Sequence, residues 1–442
     1  MSRVLSDLRK FISRLRMNAL GYRYEYNRAI DEKIISDIWT EMHTSLEKPD
    51  GRQRRFSRAM AQYRAHLAMR PRVSVWTFEI TSFFVLPFFL LGCWATYVLQ
   101  GGSRDSRALD GLQLVFASRW KNNPEIFVVP DGLTGKSIST QPLDHHRLSS
   151  NDSVLILQLL AQSIAQRTPF PFQLALKCAV DVAAVRAAVM RYSPKFILVY
   201  WEFSCGLSII TQAMNACGIE TYNVMHGDKH YYAKHAFFEV DRCYCWNEYY
   251  ADLFREEHAR ADFQCFTNPG FVLSTAERAH LDNHQPCGVG IAAPHIATLV
   301  SQKDGREGAA VQFADAINRL AKTNNVTIRA HPFYADDFNT IRPGLSSDVK
   351  IESPDSKAAR TFLLDHKIIV GTVSTLLLDA AHLGCQVVVI STPVMKDVEQ
   401  YHYLYTLENV TTSMLEDLSE TIAAIDAKTK VGQTSIASHA SS

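Results

Sequence analysis

Apolar and polar positions are arranged in three ways along the chain, and each predicts a different kind of structure. At the front, Val4, Leu5, Leu8, Phe11, Ile12 and Leu15 recur at helical spacing, with Arg3, Arg9, Lys10, Arg14 and Arg16 between them. That is the pattern of an amphipathic helix, without the apolar core of a secretion signal. Residues 31–66 also read as helical, broken around Lys48-Pro49-Asp50-Gly51. Residues 80–99 then run for 20 positions without a formal charge, about the length that crosses a ~30 Å hydrocarbon core. Glu79 flanks this run and Pro87 interrupts it.

From about Leu112 the pattern changes to short β-rich runs alternating with helical stretches. The first set predicts strands at 126–129, 195–201, 221–225 and 243–246, with helices over 153–165, 206–217 and 248–258. The alternation restarts near Cys287, with strands at 289–293, 326–329, 350–352, 367–370 and 386–390. Helices are predicted there at 307–321, 358–364, 374–383 and 412–425. Such βαβ alternation builds parallel sheets covered by helices on both faces. The predicted class is α/β: two Rossmann-like domains facing a cleft, behind a helical N-terminal region. The expected boundaries are 1–108, 109–285 and 286–430, with a disordered Ser/Ala-rich tail over 431–442. Ligands of open parallel sheets bind outside the carboxyl ends of the strands, so motifs at those ends carry the functional information.

Charge sharpens the picture of the front. The chain has 46 Lys+Arg against 45 Asp+Glu, but residues 1–75 hold 16 basic and 8 acidic side chains and the rest 30 and 37. A net of +8 thus sits beside a net of −7. Arg52, Arg54, Arg55 and Arg58 suit an anionic surface, lipid or nucleic acid, or form a solvated helical face. The adjacent uncharged run favours a membrane surface, and no reading helix or aromatic platform supports nucleic acid. A true crossing would separate the basic segment from everything after residue 99, at odds with the nucleotide chemistry below. A monotopic or re-entrant segment resolves that conflict, and a buried core helix is the alternative. Nine cysteines without a Cys-x-x-Cys pair indicate reduced thiols.

Four strand-end motifs can carry chemistry. His226, in Met225-His226-Gly227-Asp228-Lys229-His230, follows a predicted strand where a neutral imidazole can take a proton from a hydroxyl, or can simply bond a turn. Glu202, after the strand at 195–201, is the alternative base or a helix cap. Arg329 and His331 lie two apart at another strand end, where Pro332 stops strand pairing, and could together contact phosphate or a nucleobase. In Gly371-Thr372-Val373-Ser374-Thr375, Ser374 and Thr375 open a helix, a position that favours an anion but also suits an ordinary cap. No phosphate-loop or dinucleotide fingerprint occurs at these joints, and no ligand spacing supports a metal.

The order of these motifs resembles bacterial GT-B glycosyltransferases of the capsule and lipopolysaccharide kind. His331-Pro332, then Gly371-x-x-Ser374-Thr375 and the run at 376–384, are similar to the HP and S/T motifs of sialyl-, polysialyl- and Kdo-type transferases that use CMP-activated sugars. His226-Gly227 with residues 240–248 is similar to capsule transferases and to teichoic-acid polyol-phosphate transferases. The resemblance covers roughly 195–410 and lacks the acidic base motif of CMP-sialic-acid enzymes, leaving the base between His226 and Glu202. It implies a GT-B fold and a membrane-associated, metal-independent transferase needing no cofactor. The implied partners are a nucleotide sugar and a glycan or lipid-linked acceptor, at the cytoplasmic face of the bacterial inner membrane. Arg329, His331, Pro332, Gly371, Ser374 and Thr375 would bind the donor. A polyol-phosphate transferase, a nucleotide-sugar epimerase that shares the two-domain fold but would need no lipid attachment (against which residues 1–108 speak), and an inactive scaffold subunit are the alternatives.

Overall fold

Two sheets, each of six parallel strands, carry the fold. The computed structural model describes residues 28–69, 72–99, 112–118, 130, 133, 137–142, 146–225, 227–283, 286–299, 305–331, 335–355, 358–392 and 402–439. The chain divides into two units, Arg28–His226 with Tyr231–Thr267, and Gly227–His230 with Asn268–Ser442. His226, Pro332 and the predicted strand at 126–129 lie outside the described residues.

The first unit opens with helices α1 (Arg28–Leu46) and α2 (Gly51–Ala68). The predicted break between them holds because Asp50 caps α2, its Oδ1 accepting from the N–H of Arg52 at 2.9 Å and of Gln53 at 3.4 Å. Helix α3 (Arg72–Leu99) continues through Pro87. Proline removes one interior hydrogen bond, and here it stands on the exposed side of the helix. One stripe of α3 (Glu79, Ser82, Leu86, Cys93) is buried. Glu79 fixes it in place by accepting from the N–H of Phe172 at 3.0 Å and of Gln173 at 2.7 Å.

The sheet of this unit is built from β1 (Leu112–Ser118), β2 (Ser137–Pro142), β3 (Phe196–Val199), β4 (Glu220–Val224), β5 (Glu239–Cys245) and β6 (Arg260–Cys265), in the order β2-β1-β3-β4-β5-β6. Between β2 and β3 run α4 (Ser150–Ala165) and α5 (Pro171–Tyr192), the second unpredicted. Asp152 on α4 and Arg186 on α5 form a buried bidentate pair at 2.6 and 2.8 Å. Helices α6 (Leu207–Asn215) and α7 (Glu248–Glu256) follow β3 and β5.

One expectation about the basic front is corrected. Arg54, Arg55 and Arg58 do not form an open cationic surface, because Glu239 receives all three at 2.8, 3.2 and 3.2 Å. Asp241 takes Arg55 and Glu47 takes Arg58 as well. Most of the compensating charge sits about 185 residues away in sequence, on β5.

The second unit contains α8 (Thr275–Asn283), β7 (Val289–Ala292), α9 (Ile296–Leu299), α10 (Gly305–Ala321), β8 (Val326–Arg329), α11 (Ala335–Ile341) and β9 (Val349–Glu352). It continues through α12 (Ala359–Asp365), β10 (Ile368–Gly371), α13 (Thr375–His382), β11 (Gln386–Ile390), β12 (Val410–Ser413) and α14 (Leu418–His439). The helix expected at 412–425 is therefore a strand followed by a later helix, and α14 runs on where a disordered tail was expected. The sheet order β12-β11-β10-β7-β8-β9 reverses direction between β7 and β10. Val289, Ile291, Val326, Ile328, Ile368, Val370, Val388 and Ile390 form its core with Phe313 and Ile317 of α10.

Candidate functional site

The crevice beside the reversal of strand order is where an open parallel sheet takes ligand. In the second unit it is flanked by the segments leaving β7 and β10. After β10, Gly371 is buried, and a Cβ there would stand 3.0 Å from Leu377 Cδ1 and 3.1 Å from Ala292 Cβ. Gly371 thus serves close packing of β10 against β7 and α13.

Ser374 is the extended N-cap of α13 (φ −161°, ψ 159°) and makes no side-chain capping bond. Its hydroxyl oxygen is buried and has no hydrogen-bond partner among the described residues. A polar oxygen left in that condition costs free energy unless a ligand or water serves it. It stands at the helix end where first-turn N–H groups lack intrahelical acceptors and the dipole favours negative charge. Thr375 Oγ1, one residue on, accepts the N–H of Asp228 at 3.0 Å. Thr372, between β10 and the cap, lies 3.5 Å by its hydroxyl from that of Thr298.

His331 follows β8 and is half-buried. Burial, and then the neighbouring His295, holds its pKa below the usual imidazole range, so the ring is neutral at physiological pH. His295 follows β7, and its Nδ1 lies 3.3 Å from Asp337 Oδ2, an oxygen that also accepts the N–H of Ile296 at 3.1 Å. Burial lowers this imidazole too, against the opposing pull of Asp337. Its signal was present in the sequence, since Ala293-Pro294-His295 ends one strand as Ala330-His331-Pro332 ends the next.

Two other expectations change. Arg329 is buried and bound to Glu352 of the adjacent strand at 2.6 Å, and it donates to the Pro354 carbonyl at 3.0 Å. Its charge is neutralised within the sheet, so it is not a donor ligand. It points across to β9. Glu202, in the first unit, is 0% exposed. Asn223 Nδ2 donates to its Oε2 at 3.3 Å, and Gln62 of α2 covers its backbone carbonyl at 2.7 Å. No acceptor hydroxyl reaches it in this arrangement, so Glu202 is corrected from catalytic base to interior carboxylate.

Sequence reasoning also missed the polar face of α13 beyond its cap. Burial first, and then Asp228, lift Asp379 to a pKa of about 7 against the pull of Arg360. His382 stacks on Phe271 at 3.9 Å, and its Nε2 is buried without a hydrogen-bond partner among the described residues. No group of three His, Cys, Asp or Glu side chains among the described residues is arranged to hold a metal ion. The second unit thus presents neutral imidazoles after β7 and β8 and hydroxyls at the N-terminus of α13, groups that can donate to phosphate oxygens.

No protein-family model and no curated protein matches the chain. Among solved structures, the chain is similar to UDP-GlcNAc 2-epimerase from Neisseria meningitidis, at 13% identity over 72% of this chain and 92% of that one, TM-score 0.43. It is similar to the Methanocaldococcus jannaschii UDP-GlcNAc 2-epimerase at 12% identity, covering 71% and 92%, TM-score 0.42. It also resembles the GT-B domain of a sialyltransferase from Photobacterium damselae at 14% identity, covering 68% and 90%, TM-score 0.36.

Proposed function

We propose that this chain is a membrane-associated glycosyltransferase of GT-B type, moving a sugar from a nucleotide donor, CMP-activated, to a surface-polysaccharide or lipid-linked acceptor. The observation that carries this reading is the α13 N-terminus beside the strand-order reversal, where the buried Ser374 hydroxyl lacks a partner and His331 and His295 stand at neighbouring strand ends. In transfer, the acceptor oxygen bonds to the anomeric carbon as the bond from that carbon to the phosphate oxygen breaks. The nucleotide leaves with the bonding electrons, and the developing charge is stabilised by the helix end, the two hydroxyls and the neutral imidazoles. The acceptor proton passes to a base, for which the sequence offers His226. Departure without a resident metal ion predicts transfer that persists in excess chelator.

Membrane association rests on α3. Trp76–Val98 is long and apolar enough to span a bilayer, and only 22% of it is buried. Its outward side exposes Trp76, Ile80, Phe83, Phe84, Phe88 (78%), Leu91, Trp94 and Val98. A helix clipped along one stripe and apolar along the other fits a lipid interface, with the enzyme at the cytoplasmic face of the bacterial inner membrane. Vesicles of phosphatidylethanolamine and phosphatidylglycerol should sediment the chain, and the Phe84→Ser, Phe88→Ser, Leu91→Ser variant should stay in solution. Concentration-dependent dimerisation without vesicle binding would name a second copy of the chain as the occupant instead.

The donor reading is tested by thermal melts of the full chain with CMP, CDP and UDP. CMP at a hundred times its Kd should stabilise by about 2.7 kcal/mol. A response to CDP alone favours polyol-phosphate transfer, one to UDP alone removes the CMP donor, and no response to any leaves an inactive scaffold.

A further inference from the structure

A line of contacts within the second unit fixes which way the Thr375 hydroxyl can point. It begins at His402, whose Nδ1 accepts the N–H of Leu404 at 3.2 Å. In the neutral ring, a nitrogen that accepts leaves the proton on the other one, so Nε2 is protonated. That Nε2 lies 3.1 Å from Asp228 Oδ2, and both side chains are almost wholly buried. The other carboxylate oxygen of Asp228 accepts the N–H of Lys229 at 2.8 Å.

Asp228, its Oδ1 accepting from the Lys229 N–H and its Oδ2 3.1 Å from His402 Nε2, directs its own N–H to Thr375 Oγ1 at 3.0 Å. Gly227 makes this approach possible. Its φ is +65°, and a Cβ there would stand 3.3 Å from the same hydroxyl oxygen. A hydroxyl carries one proton and two acceptor lone pairs. Once Thr375 Oγ1 has accepted from Asp228, the hydroxyl proton is turned away from the Asp228 amide. It is then available at the first residue of α13, next to the unpartnered oxygen of Ser374.

We propose that Asp228 and His402 are positioning residues that preset the Thr375 hydroxyl as a donor to the phosphate of the bound nucleotide. The inference rests on the donor-site reading above and adds to it a part of the chain that motif order did not assign. His402 lies in a different segment from the Ser374-Thr375 pair, and Asp228 acts through its backbone, so neither contacts the nucleotide itself.

The test is a double-mutant cycle on the full chain, with the dissociation constants of CMP, CDP and UDP read by calorimetry and folding checked by melting. Thr375→Val should weaken the nucleotide that binds by roughly tenfold or more, the loss of one hydrogen bond to a charged group. Asp228→Ala and His402→Ala should each weaken it about as much in the wild-type background, and by less than about twofold in the Thr375→Val background. His402→Gln, which keeps an N–H donor facing the carboxylate, should recover most of the loss. If Asp228→Ala does not fold, the cycle of His402→Ala and His402→Gln with Thr375→Val decides alone. Equal losses in both backgrounds overturn the positioning role while leaving the donor site standing. An unchanged affinity in Thr375→Val, or no binding of any of the three nucleotides, overturns the donor site and the positioning role with it.

Discussion

Replacing Asp379 by Asn should make the protein more stable at alkaline pH and leave it nearly unchanged in acid. Asp379 lies on α13 one turn beyond Thr375. Burial is the largest cause of its raised pKa, Asp228 adds repulsion, and Arg360 opposes. Arg360 cannot offset the burial, because its guanidinium is shared among Glu277 and the carbonyls of Gly270 and Val272. The folded pKa of about 7 stands above the ordinary 3.8. A carboxyl raised in this way contributes fully below pH ~4, and the contribution is lost as pH climbs toward 7. At ~1.4 kcal/mol per pH unit the difference is roughly 4 kcal/mol, and nearer 2–3 once local relaxation and water entry are allowed. For a unit of about 180 residues, that corresponds to a Tm higher by roughly 5–10 °C. Melting curves of wild type and Asp379→Asn at pH 4, 6 and 8.5 give the comparison. A gain at pH 8.5 that vanishes at pH 4 supports the reasoning. A variant less stable than wild type at pH 8.5 refutes it, by showing that the charged carboxylate has compensating partners.

Other expectations follow from single contacts. Arg186→Ala leaves Asp152 as an uncompensated buried charge, so urea denaturation should show a loss of ~3–5 kcal/mol with nucleotide affinity unchanged. The Arg360 hydrogen bonds hold Glu277 down to a pKa of about 2. Its stabilisation is present above pH ~4.5 and lost as pH falls toward 2, so Glu277→Gln should flatten the acid limb of the stability profile in that window. His331→Ala, and Ser374→Ala with Thr375→Ala, should each slow transfer at least tenfold, about 1.4 kcal/mol of barrier, with unchanged melting curves.

Much of the second unit was legible in the chain because its strands are short apolar runs with turn residues at their ends. Predicted and observed strands coincide at Val326–Arg329 and Gln386–Ile390, and within a residue at Val289–Ala292 and Ile368–Gly371. The edge strands β6 and β12 were not legible, although the edge strand β9 was. Arg260–Cys265 and Val410–Ser413 are polar and largely exposed, so they lack the apolar run that marks a buried strand. Helix α5 was missed although Pro171 stands at its first position, a start signal that reads as a loop when the preceding residues are Thr168-Pro169-Phe170.

The site divides in the same manner. Ser374 and Thr375 could be placed at the start of a helix because a helix cap is a local pattern. Arg329 was misread because its partner Glu352 comes from the neighbouring strand, and strand pairing is not local in sequence. The arginines of α2 were misread for the same reason, with Glu239 and Asp241 placed beside them only by folding. Asp228 reads in the sequence only as one of a polar cluster with Lys229 and His230 of no ligand spacing, since its approach to His402, 174 residues later, is made by folding.

The central claim is that a nucleotide phosphate sits on the N-terminus of α13, and a crystal structure of the chain with bound CMP tests it most directly. The account predicts phosphate oxygens within hydrogen-bond distance of the Ser374 and Thr375 hydroxyls, with His331 or His295 beside the nucleotide. A nucleotide bound elsewhere, with Ser374 still unpartnered, would contradict it.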